Sequence, residues 1–136
     1  MNQISLASLM MDLNMRKSNE VREDLVRHMI LNSIRMYRTD FHQEFGEVVL
    51  TYDSKHYWRR DYFPNYKAGR KKGRENDSKD WDAIFNCLNK IKSEFKENLP
   101  YKYLEIYGAE ADDIIATLCK NLGTANKIMI VSGDKD

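Results

Sequence analysis

Tyr103-Leu-Glu-Ile-Tyr-Gly-Ala-Glu-Ala-Asp-Asp-Ile-Ile-Ala-Thr-Leu-Cys-Lys-Asn-Leu-Gly123 reads as a strand, a turn and a helix in direct succession. The run Tyr103 to Tyr107 is short and rich in residues that favour extended backbone. Gly108 supplies the turn, and a helix from Glu110 to Leu122 places Ile114, Ile115, Leu118 and Cys119 on one side before Gly123 ends it. Two other segments repeat the strand part of this pattern. Glu47-Val-Val-Leu-Thr-Tyr52 runs into Asp53 and Ser54, and Lys127-Ile-Met-Ile-Val131 runs into Ser132-Gly-Asp-Lys-Asp136.

Helical spacing fills the intervals. A first helix carries Ile4, Leu6, Leu9, Met10 and Leu13 and starts without a cap. A long second helix, expected to be capped by Ser18 or Asn19, carries Val21, Leu25, Val26, Met29, Ile30, Ile34, Phe41 and Phe45 and stops at Gly46. A third, capped by Asp77 or Ser78, carries Trp81, Ile84, Phe85, Leu88, Ile91 and Phe95 and stops before Pro100. Strands alternating with helices, with β-branched runs rather than strict alternation, predict an α/β domain: a parallel sheet with helices on both faces. In such sheets the ligand site lies beyond the carboxyl ends of the strands. Here all three strand ends are acidic: Asp53; Glu110, Asp112 and Asp113; Asp134 and Asp136.

With 136 residues, 42% of them hydrophobic and 32% charged, the chain fits one soluble domain rather than a disordered or membrane class. It shows neither a spanning segment nor a signal peptide, so a cytoplasmic location is expected. Cys87 and Cys119, far apart and at apolar helical positions, suit buried thiols. The net charge of +1 hides an asymmetry. Between Lys55 and Arg74 stand eight Lys or Arg against Asp61 alone, whereas from Glu105 onward six acids face three lysines.

Carboxylates without accompanying His or Cys suit a hard cation such as magnesium. Two such ions about 4 Å apart would promote phosphodiester hydrolysis, one acidifying water and the other stabilising the leaving oxygen. A plainer reading stands beside this one. Glu110, Asp112 and Asp113 occupy a helix's first turn, where acids are favoured anyway, and Asp53, Asp134 and Asp136 sit where Asp commonly ends strands. The basic tract, interleaved with Tyr57, Trp58, Tyr62, Phe63 and Tyr66, has the composition of a groove that neutralises phosphates and stacks bases; a solvated charged face, with Trp58 and Phe63 in the core, is the alternative. His28, His42 and His56 show no ligand spacing and are assigned no role. Gly73 to Ser78 lacks an apolar anchor and is expected to be mobile.

Tyr57-Trp-Arg-Arg-Asp-Tyr-Phe-Pro-Asn-Tyr-Lys-Ala-Gly-Arg70, preceded by Asp53, resembles a segment of the flap endonuclease and 5′-to-3′ exonuclease family of phages and bacteria. Glu110-Ala-Asp-Asp-Ile-Ile-Ala116 and Ser132-Gly-Asp-Lys-Asp136 are similar to that family's second and third acidic motifs, and Val26 to Ile34 adds a match outside the site. The resemblance implies a PIN-like (resolvase-like) nuclease domain that removes RNA primers or 5′ flaps during DNA replication, acting with Mg2+, two ions, or with Mn2+. It implies that Asp53, Glu110, Asp112, Asp113, Asp134 and Asp136 hold metal or metal-bound water. Lys67 and Arg70 match the catalytic pair facing the scissile phosphate. Arg59, Arg60, Tyr66, Lys71, Lys72 and Arg74 would join them in binding DNA or an RNA·DNA hybrid, and residues 71–79 would form a mobile bridge or arch. Single-strand binding protein or a clamp would be replication partners.

Two departures from the family pattern set further expectations. No strand ending in a metal-binding Asp precedes the first helix, and the sequence stops at the third acidic motif, ahead of the family's last metal-binding Asp and its helix-hairpin-helix region. Residues 1–136 are therefore expected to be a partial domain lacking its first strand, with an impaired nucleic-acid-binding fragment as the alternative to an active nuclease. A magnesium-dependent phosphatase of another α/β fold, suggested by Val131-Ser-Gly-Asp134, is a third reading, against which the basic aromatic tract speaks.

Overall fold

The computed structural model describes residues 1–133. Its elements run α1 (Asn2–Arg16), α2 (Glu23–Phe45), β1 (Val49–Tyr52), α3 (Arg59–Tyr62), α4 (Gly69–Glu75), α5 (Trp81–Asn98), β2 (Lys102–Glu105) and α6 (Ala111–Leu122). β1 and β2 pair in parallel, Val49 opposite Lys102 and Tyr52 opposite Glu105, with α3 to α5 forming the crossover. The expected α/β class with a parallel sheet is present. Among the described residues the sheet has two strands.

Side chains alternate across a strand, so Leu50 and Tyr52 share a face. Against them pack Leu9 and Leu13 of α1, Val26, Ile30 and Ile34 of α2, and Ile84, Cys87, Ile91 and Phe95 of α5, all almost fully buried. Spacings of three, four and seven residues on the helices are what bring these groups into one cluster. The buried Ile114 of α6 stands apart from that cluster, and α6 lies against β1. α2 and α5 are also joined by charge: Arg27 donates to Glu94 at 2.6 and 2.9 Å and to Glu23 at 2.7 Å, and Lys90 reaches Glu23 at 2.7 Å.

Helix starts differ from expectation for local reasons. α2 begins at Glu23 rather than after Ser18 or Asn19, because the Ser18 hydroxyl accepts from the Glu20 N–H and Arg16 donates to the Glu20 carbonyl, holding that stretch as a connector. Neither Asp77 nor Ser78 caps α5. Asp77 instead accepts from the Lys79 N–H and ammonium, and Asp80 caps the helix through the Ala83 N–H at 2.9 Å. The stretch expected as a mobile bridge is in part helical, α4, with Arg74 laid over Phe85 at 5.2 Å.

The predicted third strand, Lys127 to Val131, does not form a ladder, and Ile128, Met129 and Ile130 are 39%, 43% and 52% exposed. An apolar groove of about 670 Å³, lined by Phe41, Phe45, Val49, Leu118, Leu122 and Ile128 among others and by residues of both strands, lies between this segment and the sheet. Ladder hydrogen bonds span strands only about 4.8 Å apart, and among the described residues no backbone bond joins the segment to β1. The Met1 amine donates to the Thr51 carbonyl of β1 at 2.9 Å. Among the described residues no helix is long and apolar enough to cross a membrane.

Candidate active site

The parallel pairing of β1 and β2 puts the two strand ends side by side, and the acids that follow them meet there. Gly108, at φ +81°, makes the turn from β2 into α6 in a backbone region open to glycine. One Asp53 oxygen then accepts the Ala111 N–H at 2.7 Å, and the other accepts from the Asn2 side chain at 3.3 Å. Asp53, 58 residues away in sequence, thus closes the first turn of α6.

Glu110 and Asp113 form a reciprocal capping box on that helix: Glu110 accepts from the Asp113 N–H, and Asp113 accepts from the Glu110 N–H at 3.0 Å. The same two carboxylates are matched by cations. The Arg59 guanidinium donates to Glu110 at 2.7 Å and to both Asp113 oxygens at 2.9 and 2.8 Å. The Lys67 ammonium binds the other Glu110 oxygen, the Tyr66 hydroxyl donates to Glu110 at 3.3 Å, and the Trp58 indole donates to Asp113 at 3.2 Å. The Glu110 side chain is 4% exposed, so two positive charges on two negative ones let an otherwise costly group be buried.

The electrostatics follow. Hydrogen bonding from Arg59 holds the Asp113 carboxyl below the ordinary carboxylate range, outweighing desolvation. Burial works to lower the Lys67 ammonium, yet Glu110 more than compensates and raises it. Lys67 also stands at φ +58°, in the left-handed region that costs a non-glycine residue roughly 1–2 kcal/mol. The Glu110 contact and the Tyr57 and Tyr66 rings, 5.4 and 5.0 Å from its ammonium, hold it there.

The four described acids therefore divide. Glu110 and Asp113 realise the capping alternative and are neutralised, while Asp112 is exposed and has no hydrogen-bond partner among the described residues. Asp53 and Asp112 are the acids that act on the Met1 amine, offsetting in part the burial that lowers its pKa. Their chemistry fits a hard divalent cation, but no three His, Cys, Asp or Glu among the described residues converge on one point. Asp134 and Asp136 lie outside the described residues.

The basic tract is brought to the acids in part. Arg59, Tyr66 and Lys67 touch them, whereas Arg70, Lys71 and Lys72 are exposed on α4 and Arg60 lies over the Tyr57 ring at 4.8 Å. Arg59, expected among the groups that grip nucleic acid, is committed to an internal network. Trp58 and Phe63 are 45% and 67% exposed, so the alternative that placed them in the core does not hold. Residues to which sequence gave no role also gather here. His56 stacks on Tyr107, ring centroids 5.4 Å apart at 18°, and binds Asp61 at 3.1 Å. The available signal was an aromatic directly before the turn glycine.

Comparison with known proteins bears on this arrangement. The family described as "5′-3′ exonuclease, N-terminal resolvase-like domain" matches residues 9–136. Ribonuclease H of Enterobacteria phage T4 is 36% identical over 140 residues, covering 99% of this chain and 45% of that protein. Flap endonuclease Xni of Vibrio vulnificus (strain CMCP6) is 33% identical over 115 residues, covering 78% of this chain and 41% of that protein. DNA polymerase I of Lactococcus lactis subsp. lactis (strain IL1403) is 38% identical over 93 residues, covering 65% of this chain and 10% of that protein. The chain thus spans less than half the length of these relatives. With nearly every residue inside the matched region, the chain belongs to the family of 5′-3′ exonuclease N-terminal, resolvase-like domains.

Proposed function

We propose that this domain hydrolyses phosphodiester bonds at the 5′ ends of nucleic acid, as a flap or RNA-primer-removing nuclease of DNA replication, with Mg2+ or Mn2+ as cofactor. The observation that carries the reading is the meeting of Asp53 and the Glu110 to Asp113 cluster at one sheet end, directly against Lys67 and Tyr66. Asp53 and Asp112, with Glu110, Asp113, Asp134 and Asp136, would hold the metal. When bound, a divalent ion supplies Lewis acidity that lowers the pKa of water and offsets charge on the scissile phosphate.

The protein's own groups do the remaining work. Lys67 and Arg70 face the phosphate and stabilise the charge that builds on it, and Tyr66 stacks beside them. The exposed cations Arg60, Arg70, Lys71 and Lys72 hold the flanking backbone of DNA or an RNA·DNA hybrid, and single-strand binding protein or a clamp are the partners that fit a replication role. The test is release of short 5′-labelled products from a flap and from an RNA·DNA hybrid in Mg2+, with loss in EDTA and in both Asp112→Asn and Asp134→Asn. Undiminished cleavage by either variant would sink the assignment. A second reading, nucleic-acid binding without turnover, is favoured by the cations that already saturate Glu110; intact binding with no product from the unaltered protein in Mg2+ would select it.

A further inference from the structure

On the other side of the β2-to-α6 turn lies a cleft of about 440 Å³ lined by Ser54, Lys55, Lys96, Tyr103, Glu105 and Tyr107. Tyr107 is 83% exposed, yet its backbone is fixed from both sides. Gly108 bridges to Tyr57 and accepts the Trp58 N–H at 2.9 Å, the Ala109 N–H closes on the Ile106 carbonyl at 3.0 Å, and the Ser54 N–H donates to Ala109 at 3.0 Å. The aromatic is therefore presented to solvent by a pinned turn. His56 stacks behind it, leaving the remaining π-face of Tyr107 open.

The charge of the cleft is one-sided. Its single acid, Glu105, is already met by Lys92 at 2.7 Å and by the Tyr103 hydroxyl at 2.9 Å. Lys55 and Lys96 are exposed and make no ion pair among the described residues, and Lys96 stands over the Tyr103 ring at 5.4 Å. Lys96 acts on Glu105 only at a distance, so the cleft keeps a surplus of positive charge. Two exposed ammonium groups without a direct ion pair, beside an open, backed aromatic ring, form a recognition pattern for a nucleotide whose base is unpaired: the ring takes the base and the cations take the phosphates beside it. Duplex does not present a free base face, so the pattern selects single strand.

We propose that this cleft is a single-strand subsite in which Tyr107, backed by His56, stacks on an unpaired base while Lys55 and Lys96 hold the adjoining phosphates. The proposal rests on the nuclease reading and adds a strand path that leads away from the carboxylates past Ser54.

The test is equilibrium binding of single-stranded DNA and RNA oligonucleotides carrying 2-aminopurine, with fluorescence quenching reporting the stack and anisotropy the affinity. Tyr107→Ala should weaken single-strand binding about 5- to 150-fold and abolish the quench, while Tyr107→Phe keeps both. Lys55→Gln and Lys96→Gln should each weaken binding and lower the slope of log affinity against log salt by about 0.7. The three substituted residues are exposed and lie outside the buried core, and circular dichroism would check that each of the four variants folds. Wild-type affinity and quench in Tyr107→Ala, with binding still lost in Arg70→Ala, would overturn the subsite and leave the nuclease reading standing. Absence of any binding by the unaltered protein would overturn both.

Discussion

Replacing Arg59 with Met should destabilise this protein far more than loss of a surface charge. The guanidinium makes three short bonds, to Glu110 at 2.7 Å and to Asp113 at 2.9 and 2.8 Å, and is itself 28% exposed. Hydrogen bonds to charged groups contribute about 1.5–3 kcal/mol each, and stranding a fully buried charge costs about 3–5 kcal/mol. Here Glu110 keeps Lys67 and Asp113 keeps the Trp58 indole and its own cap bond, so the loss falls lower, at about 2–3 kcal/mol. For a chain of this size each kcal/mol moves the midpoint by roughly 3–5 °C, giving a fall in Tm of roughly 6–15 °C. Urea and thermal unfolding followed by circular dichroism at 222 nm would measure it. A double-mutant cycle with Asp113→Asn should give a coupling of about 1–2 kcal/mol. A loss below about 0.5 kcal/mol, or simple additivity in the cycle, would refute the view that Arg59 is an internal strut between α3 and the start of α6.

Stability should also report the depressed carboxyls. Arg59 lowers Asp113 and Arg16 lowers Asp12, so each contributes stability that is complete above the ordinary Asp value of about 3.9 and is lost as pH falls through the lower folded value. Urea midpoints taken from pH 5 downward should fall, and fall less steeply in Arg59→Met; parallel slopes would contradict the assignment. Removing the α5 cap with Asp80→Ala should cost about 1 kcal/mol, whereas Ser78→Ala should be near neutral, as urea unfolding of the pair would show. Ile30→Ala, at a fully buried position in the cluster joining α1, α2, α5 and β1, should cost about 2–5 kcal/mol by the same measurement.

Periodicity made α2, α5 and α6 legible, because burial of a helix face repeats at fixed spacing, and the β-branched run before Asp53 marked β1. The acidic ends of β1 and β2 were legible as one edge for the same reason, since parallel strands put their carboxyl ends together. What escaped depends on partners distant in sequence. Lys127 to Val131 has strand composition, but a ladder needs a neighbour at the right distance, and an apolar groove lies between this segment and the sheet. Arg59 reads as one more cation in a basic tract until Glu110 and Asp113, 51 and 54 residues away, are seen to hold it. The cap of α5 moved from Asp77 to Asp80 because Lys79 claims the Asp77 carboxylate, a competition between neighbours that residue preference does not resolve.

The open edge of β1 and the exposed Ile128 to Val131 also set how the protein behaves in bulk. Unpaired strand edges beside apolar side chains template pairing between molecules, and charged flanking residues are the usual deterrent. Lys127 is the only charge between Lys120 and Gly133, and it is engaged with Glu44 at 3.1 Å. Colloidal behaviour is thereby tied to concentration: refolded yield should be highest in dilute solution and decline as molecules crowd, even where the fold of each one is intact.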